Sequence, residues 1–452
     1  LKLILLSGGS GKRLWPLSND SRSKQFIKVN RSIEEDDRIR LSMLQRVWQQ
    51  IEGAGLQHSA VIAAARTQEE LIVTQLGAAA PLVLEPERRD TFPAIALACA
   101  YMHSEMRMSG DEVIVVMPVD VDVDDDYYEE LKTMAAIAAQ SEEGIVLMGI
   151  APANPSEKYG YIIPAPGQAS DQNLLKVQHF IEKPPSSEAE MWIGLGALWN
   201  AGVFAFRLEY ILRILRQGGW PLRYDELVRQ YHLLPQNSFD YEVVEKEARI
   251  AVKPFAGRWN DLGTWNEWTE QMKEQLYGKG VVSSDSENTH VINELDIPVV
   301  VLGISNAVVV ASPDGILISD KAESVRLKQM VQTMSTRPMY KETLYGWYSI
   351  LHMGEPTQDQ QSLTKRVHIY AGKQISYQVH YKRSEMWTIV RGKAEVTVDG
   401  LSYTASAGDV VRILPGAKHG IKAITTVDLI EIQVGESIEE EDIVRFEYAQ
   451  QI

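Results

Sequence analysis

The residues best suited to chemistry lie at 5–26, LLSGGSGKRLWPLSNDSRSKQF. An apolar run opens into Gly8, Gly9 and Gly11, and Lys12, Arg13 and Lys24 follow. Glycines let successive backbone N–H groups approach an anion with no Cβ in the way, and such groups cradle phosphates. Arg13 adds a fork-shaped cation and Lys24 a point charge, both suited to a polyphosphate. The stretch lacks the Gly-Lys-Ser/Thr ending of a Walker loop and the glycine spacing of a dinucleotide fingerprint. On the glycines alone it reads equally as a turn after a strand.

Carboxylates give a second strand of chemistry. Asp120 closes the apolar run Val113–Met117, at the strand end where open α/β sheets bind ligands. Paired with Asp261 it could hold Mg²⁺, a hard cation that takes carboxylate and phosphate oxygens. Either aspartate taken singly reads as a helix cap or a solvated loop residue. The run Asp122, Asp124, Asp125 and Asp126 reads as the solvated start of a helix. Asp240-Tyr241 with Glu245-Lys246 reads as another charged helix start.

These residues need a scaffold, and the first 270 or so residues supply an alternating one. LILL (3–6), VIVVM (113–117), IVLMGI (145–150) and VFAF (203–206) are unbroken apolar runs, as in strands buried on both faces. Helical patterns lie between them, at 91–107 and at 207–217, where Leu208, Ile211, Leu212 and Leu215 form one apolar stripe. Alternating strand and helix signals predict an α/β domain with a mostly parallel sheet. From about 278 short strands take over (Val281-Val282, Val291-Ile292, 298–304, 307–310), a β-rich connector of one or two solenoid turns, with a helical stripe only at 320–333. No fixed-period repeat extends it. Strands at short spacing then fill 345–434, and Asp399-Gly400 between two of them predicts a hairpin whose turn positions want positive φ. The expected division is 1–270, 271–335 and 336–452.

The stretch at 5–26 resembles the signature of sugar nucleotidylyltransferases, in the GDP-mannose pyrophosphorylase branch. That pattern reads L-S-G-G-x-G-x-R-L-W-P-L-S and then P-K-Q-F; every fixed position is present through Ser18, and Ser23 replaces the proline before Lys24. Glu85-Pro86 and Arg89-Asp90-Thr91-Phe92-Pro93-Ala94 resemble the segment beside the base, with Asp90 and Phe92 departing from it. Met117-Pro118-Val119-Asp120, Tyr159-Gly160-Tyr161-Ile162, Phe180-Ile181-Glu182-Lys183-Pro184, Trp199-Asn200-Ala201-Gly202 and Trp259-Asn260-Asp261-Leu262-Gly263 continue it in order. Asp240-Tyr241 with Glu245-Lys246 resembles a further family segment near the site, and on residue types alone reads equally as a helix start. The resemblance covers essentially the whole chain.

It implies a Rossmann-like, GT-A-like nucleotidyltransferase mixed sheet, then the connector and a cupin β-barrel. The reaction implied is GTP plus mannose 1-phosphate giving GDP-mannose and diphosphate. Leu6, Gly8, Gly9, Gly11, Arg13, Lys24, Glu85 and Asp120 would bind the nucleotide; Gly160, Glu182, Lys183 and Asn200 the sugar phosphate; Asp120 and Asp261 the Mg²⁺. Arg13, Lys24 and Lys183 would neutralise phosphate oxygens during in-line transfer. A subunit that only senses sugar nucleotide, or an enzyme for another hexose 1-phosphate, is the alternative.

Gly372–Trp387 and Gly408–His419 resemble the two cupin motifs. His380, Glu385 and His419 occupy three positions of a divalent-metal site, while Lys382 stands where a fourth ligand belongs and Met386 replaces another histidine. In bifunctional relatives this domain isomerises mannose 6-phosphate. The lysine predicts low metal occupancy and little isomerase activity, since an ammonium offers no lone pair.

The bulk properties exclude other classes. The 452-residue chain is 45% hydrophobic and 23% charged, as in soluble globular proteins. A net charge of −16 argues against nucleic-acid binding. Cys99 is the only cysteine, so a disulfide-free, cytoplasmic protein is expected. The opening LKLILL is too short to span a membrane or act as a signal core. A homodimer is expected.

Overall fold

A computed structural model describes residues 1–9, 12–19, 21–31, 40–78, 80–141, 143–167, 173–334, 337–355 and 360–446. Gly11 lies outside the described residues. The chain forms two compact units, Leu1–Leu14 with Ser23–Gln271, and Trp15–Arg22 with Met272–Ile452.

The first unit is built on a nine-stranded sheet, in the order Leu82–Glu85, Ala60–Ala65, Lys2–Ser7, Val113–Pro118, Leu198–Arg207, Ile145–Ile150, Ile250–Phe255, Leu175–Ile181 and Tyr161–Pro164. Lys2–Ser7 runs parallel to both neighbours, with Leu3 opposite Ala60 on one side and Val115 on the other. Leu3 to Leu6 are buried because helices cover both faces, which explains the unbroken apolar run. Helix Leu208–Gln217 buries Leu208, Ile211, Leu212 and Leu215, the stripe visible in its spacing. The sheet is mixed rather than mostly parallel. Leu198–Arg207, which holds VFAF, is antiparallel to both Val113–Pro118 and Ile145–Ile150, yet its burial on two faces gives the same apolar texture as a parallel strand.

The acidic run departs from the expected solvated helix start. Asp122 is not solvated; it is 2% exposed on strand Val121–Val123, where Arg46 and Arg258 both bind its carboxylate. The helix itself starts only at Asp126. Periodicity places the helix, but the arginines come from positions 76 residues before and 136 after.

In the second unit, short parallel strands stack in two ladders. Leu276–Tyr277, His290–Asn293 and Ala307–Ser312 form one, and Gly280–Val282 with Val299–Val301 the other. The helical stripe at 320–333 reduces to a 3₁₀ turn, Ala322–Arg326, and a short helix, Leu327–Val331. Two antiparallel sheets of six and five strands follow, packed around Trp387, Ile389, Val396, Ile421 and Leu429. This is the cupin barrel. Asp399 and Gly400 take φ of 48° and 81° in the hairpin between Lys393–Val398 and Leu401–Ser406.

Candidate active site

The central strand Lys2–Ser7 delivers Leu6, Gly8 and Gly9 to its C-terminal end. A Cβ at Gly8 or Gly9 would meet nothing within 4 Å, and Gly9 has φ of 99°, a conformation that favours glycine. The backbone there faces open space, as an anion cradle requires. Arg13 follows in the 3₁₀ turn Lys12–Leu14 and is exposed.

Lys24 is buried, and its Nζ lies 2.8 Å from Asp261 Oδ1 and 3.0 Å from Asp120 Oδ2. The local ladder explains the convergence. Trp259–Asp261 pairs antiparallel with Val121–Val123, with Asp261 opposite Val121 and so beside Asp120. Gln25 anchors the lysine's turn by donating to Ser7 Oγ at 3.0 Å. Burial alone would lower the Lys24 ammonium, but Asp120 and Asp261 outweigh it and raise it well above the usual lysine range. Burial works to raise Asp261, and Lys24, Arg13 and Lys158 overcome this and hold its carboxyl low. Two carboxylates that already converge on one cation have the donor set for Mg²⁺, so the residues fit that ion.

A second cluster is linked to the first through Lys158, which also acts on Asp261. Lys158 pairs with Glu267 at 2.6 Å and Tyr159 packs on Trp199, with ring centroids 4.6 Å apart. Next comes Gly160, whose carbonyl accepts from Asn200 N at 2.8 Å. A Cβ on Gly160 would stand 2.5 Å from Glu182 Oε2, so only glycine allows this approach. Glu182 is buried against Lys183, which takes φ of 48°. Burial raises the Glu182 carboxyl and Lys183 opposes that. Asn200 Nδ2 donates to Asp240 Oδ1 at 2.7 Å, and Asn200 Oδ1 accepts from Gly202 N at 3.1 Å. One amide hydrogen and one lone pair of Asn200 stay open for a ligand hydroxyl.

Glu85 ends the strand Leu82–Glu85 and accepts from Tyr231 Oη at 2.5 Å. Burial pushes its carboxyl up to about 7, against the lowering effect of Tyr231. Asp90 caps the following helix through Thr91 N at 2.8 Å, and Phe92 is buried edge-on to Trp220.

Lys158 escapes sequence reasoning, and Asp240 and Glu245, which resemble a family segment, join it at the site. Lys158, Asp240 and Glu245, which accepts from Glu182 N at 3.1 Å, all contact the expected residues or their neighbours. On residue types alone Asp240 and Glu245 read equally as helix-start charges; their contacts with Asn200 and Glu182 favour the reading as a segment near the site. Burial, with Glu182 nearby, raises Asp240 to about 7.

In the cupin barrel the ligand atoms of His380, Glu385 and His419 lie within 4.8 Å of one another, and all three residues are buried. His419 Nδ1 lies 2.9 Å from Ala417 O, while its Nε2 has no hydrogen-bond partner. The cation in this pocket is not Lys382, which is exposed, but Arg383, which is 4% exposed. Arg383 Nε donates to Glu385 Oε1 at 3.2 Å, and Nη2 is 3.2 Å from His380 Nε2. The physical reason is pleat: residues i and i+2 of a strand share a face, so Arg383 points inward with Glu385. The guanidinium already balances the one carboxylate and covers two of the three donors. With its carboxylate already met by a guanidinium, this donor set is poorly matched to a divalent ion.

No helix among the described residues is long and apolar enough to cross a membrane. The pattern of the nucleotidyl transferase family matches residues 2–277, and that of the mannose-6-phosphate isomerase C-terminal domain matches 332–448. The xanthan biosynthesis protein XanB of Xanthomonas campestris pv. campestris is 31% identical across 98% of this chain and 97% of its own length. The mannose-1-phosphate guanylyltransferase of Escherichia coli K12 is 30% identical across 98% and 97%. A crystal structure described as mannose-1-phosphate geranyltransferase from Thermus thermophilus aligns with a TM-score of 0.61 at 28% identity, over 74% of this chain and 99% of that one.

Proposed function

Since the chain belongs to the nucleotidyl transferase family and ends in a mannose-6-phosphate isomerase C-terminal domain, we propose that it joins GTP and mannose 1-phosphate into GDP-mannose, releasing diphosphate. The carrying observation is the meeting of Lys24 with Asp120 and Asp261 at the mouth of the glycine turn. An oxygen of the sugar phosphate attacks the α-phosphorus of GTP, and the bond to the β-phosphate bridge breaks.

In this reading Leu6, Gly8, Gly9, Gly11, Arg13, Lys24 and Glu85 bind the nucleotide, with Arg13 and Lys24 neutralising its phosphates. Lys183 meets the sugar phosphate, while Gly160, Glu182 and Asn200 receive the sugar. The family generally uses a divalent metal; here Asp120 and Asp261 would hold Mg²⁺, which supplies charge neutralisation at the phosphates. Residues 1–270 carry the transfer, 271–335 connect, and 336–452 form the barrel. A cytoplasmic homodimer completes the reading, in keeping with a buried, free Cys99 and with the exposed cross-strand pair Val281 and Val300. No nucleic acid or membrane is a partner.

The test is diphosphate release from a matrix of four NTPs and several hexose 1-phosphates. The reading requires GTP with mannose 1-phosphate to give the highest kcat/KM; no turnover with any pair, from folded protein, would sink it.

A further inference from the structure

The middle of the N-terminal signature takes no part in the chemistry above. Residues 15–22 belong to the second compact unit, although Arg13 lies two residues before them and Lys24 two residues after. Within that unit the segment is gripped along its length. A Cβ on Gly315 would come within 2.4 Å of the Trp15 indole, so the ring lies directly on that strand's backbone. Ser312 Oγ donates to Pro16 O at 3.0 Å. Asn19 Nδ2 donates to Asp314 Oδ2 at 2.6 Å, while its Oδ1 accepts from Ser21 N and Arg22 N. Arg22, buried, donates from Nη1 and Nη2 to Glu294 Oε2 and Oε1 at 3.0 and 3.1 Å, with its guanidinium carbon 5.6 Å from the Tyr340 ring centroid.

A buried ion pair is a poor source of net stability, because desolvation offsets most of its attraction. What a bidentate arginine–carboxylate pair supplies is fixed geometry. With both ends of the segment held, the adjoining residues have little freedom, since consecutive Cα atoms are only about 3.8 Å apart. We propose that Glu294, Ser312, Asp314 and Gly315 are positioning residues for nucleotidyl transfer: they clamp residues 15–22, and the clamped chain sets where Arg13 and Lys24 stand. The inference rests on the assignment of Arg13 and Lys24 to the nucleotide phosphates. It gives the Trp-Pro-Leu-Ser part of the signature a task, as the tongue of a socket formed by the connector.

The experiment uses the full chain with Glu294→Gln, Ser312→Ala and the exchange Arg22→Glu with Glu294→Arg. Two readouts are taken: kcat and KM for each substrate, and amide hydrogen exchange across residues 12–24. Glu294→Gln should lower kcat/KM for GTP by about 10- to 100-fold, the cost of misplacing catalytic groups by an ångström or so, and leave the KM for mannose 1-phosphate near wild type. Exchange over 12–24 should quicken while the strand Lys2–Ser7 stays protected, and the charge exchange should recover part of both losses. Ser312→Ala should act in the same direction, and it decides the matter if Glu294→Gln fails to fold. Wild-type kcat/KM and wild-type exchange in the folded variants would overturn the clamp, as would a raised KM for mannose 1-phosphate with kcat unchanged. Absence of turnover in the unaltered protein would count against the proposed function instead, and hydrogen exchange would still decide the clamp.

Discussion

Lys24 stands 2.8 Å from Asp261, closer than to Asp120 at 3.0 Å, and so fills the space between the two carboxylates proposed to hold Mg²⁺. The ammonium and the ion therefore share one pair of ligands, which makes charge at this point the most informative thing to vary. Asp261→Asn should weaken the apparent Mg²⁺ dependence of turnover more than it raises the KM for mannose 1-phosphate. A Mg²⁺ titration of initial rate reads this directly, and an unchanged titration would remove Asp261 from the metal site.

Arg13 and Lys24 are assigned to oxygens that gain charge as diphosphate leaves. Arg13→Ala or Lys24→Met should cost on the order of 10²-fold or more in kcat by loss of a charge-assisted contact in the transition state. Single-turnover kinetics would separate this from slower product release. A variant that keeps its rate and changes only KM would assign the residue to ground-state binding.

Gly160 admits no side chain, since a Cβ would press on Glu182 Oε2 at 2.5 Å. Gly160→Ala should raise the KM for mannose 1-phosphate about tenfold or more, as overpacking displaces Glu182, and leave the KM for GTP nearly unchanged. Asp240→Asn should do the same through Asn200, whose amide it orients. Steady-state kinetics with each substrate varied in turn distinguishes the two pockets.

Glu85 carries a carboxyl raised by burial to about 7, against a usual value of 4.5. Between those two pH values the folded chain holds a proton that the unfolded chain has released, so stability falls as pH rises through this window and levels off above about 7. Glu85→Gln removes the titration while keeping an acceptor for Tyr231. The melting-temperature advantage of the variant over wild type should therefore grow from pH 5 to pH 7 and then stay constant. A gap independent of pH would show that Glu85 titrates normally.

The cupin pocket carries its own test. Arg383 is buried against Glu385, and removing one partner of such a pair costs about 3–5 kcal/mol. Arg383→Met should lower the melting temperature and then regain part of it on adding Zn²⁺, because His380 and Glu385 are freed beside His419. Wild type should not respond. Changing Lys382 and Met386 to histidine should do little, since both side chains are exposed. Stoichiometric zinc in the wild-type barrel by elemental analysis would contradict the guanidinium's role.

The amino-acid order carries the fold well where pattern and structure share a cause. Two-sided burial writes LILL and VIVVM, and positive φ writes Asp399-Gly400. It does not tell that Leu198–Arg207 runs antiparallel, because burial on both faces looks alike in either direction. In the candidate site, Lys24, Asp120 and Asp261 are nameable from the resemblance, yet their meeting depends on a ladder that pairs residues 121 and 261. Asp122 reads as a surface charge because its partners lie far along the chain, and residue types alone do not separate Asp240 from a helix start because its partner Asn200 is 40 residues away. Arg383 hides behind its neighbour Lys382 because the bend at residues 381 and 382 breaks the alternation before the strand resumes.

The most direct test of the central claim follows the phosphate oxygens. Mannose 1-phosphate labelled with ¹⁸O on its non-bridging phosphate oxygens is incubated with GTP, Mg²⁺ and the full chain, and the products are weighed by mass spectrometry. Attack by the sugar phosphate on the α-phosphorus predicts GDP-mannose that retains all the label, with diphosphate entirely unlabelled. Label in the diphosphate, or no GDP-mannose from a folded and nucleotide-saturated protein, would contradict the account.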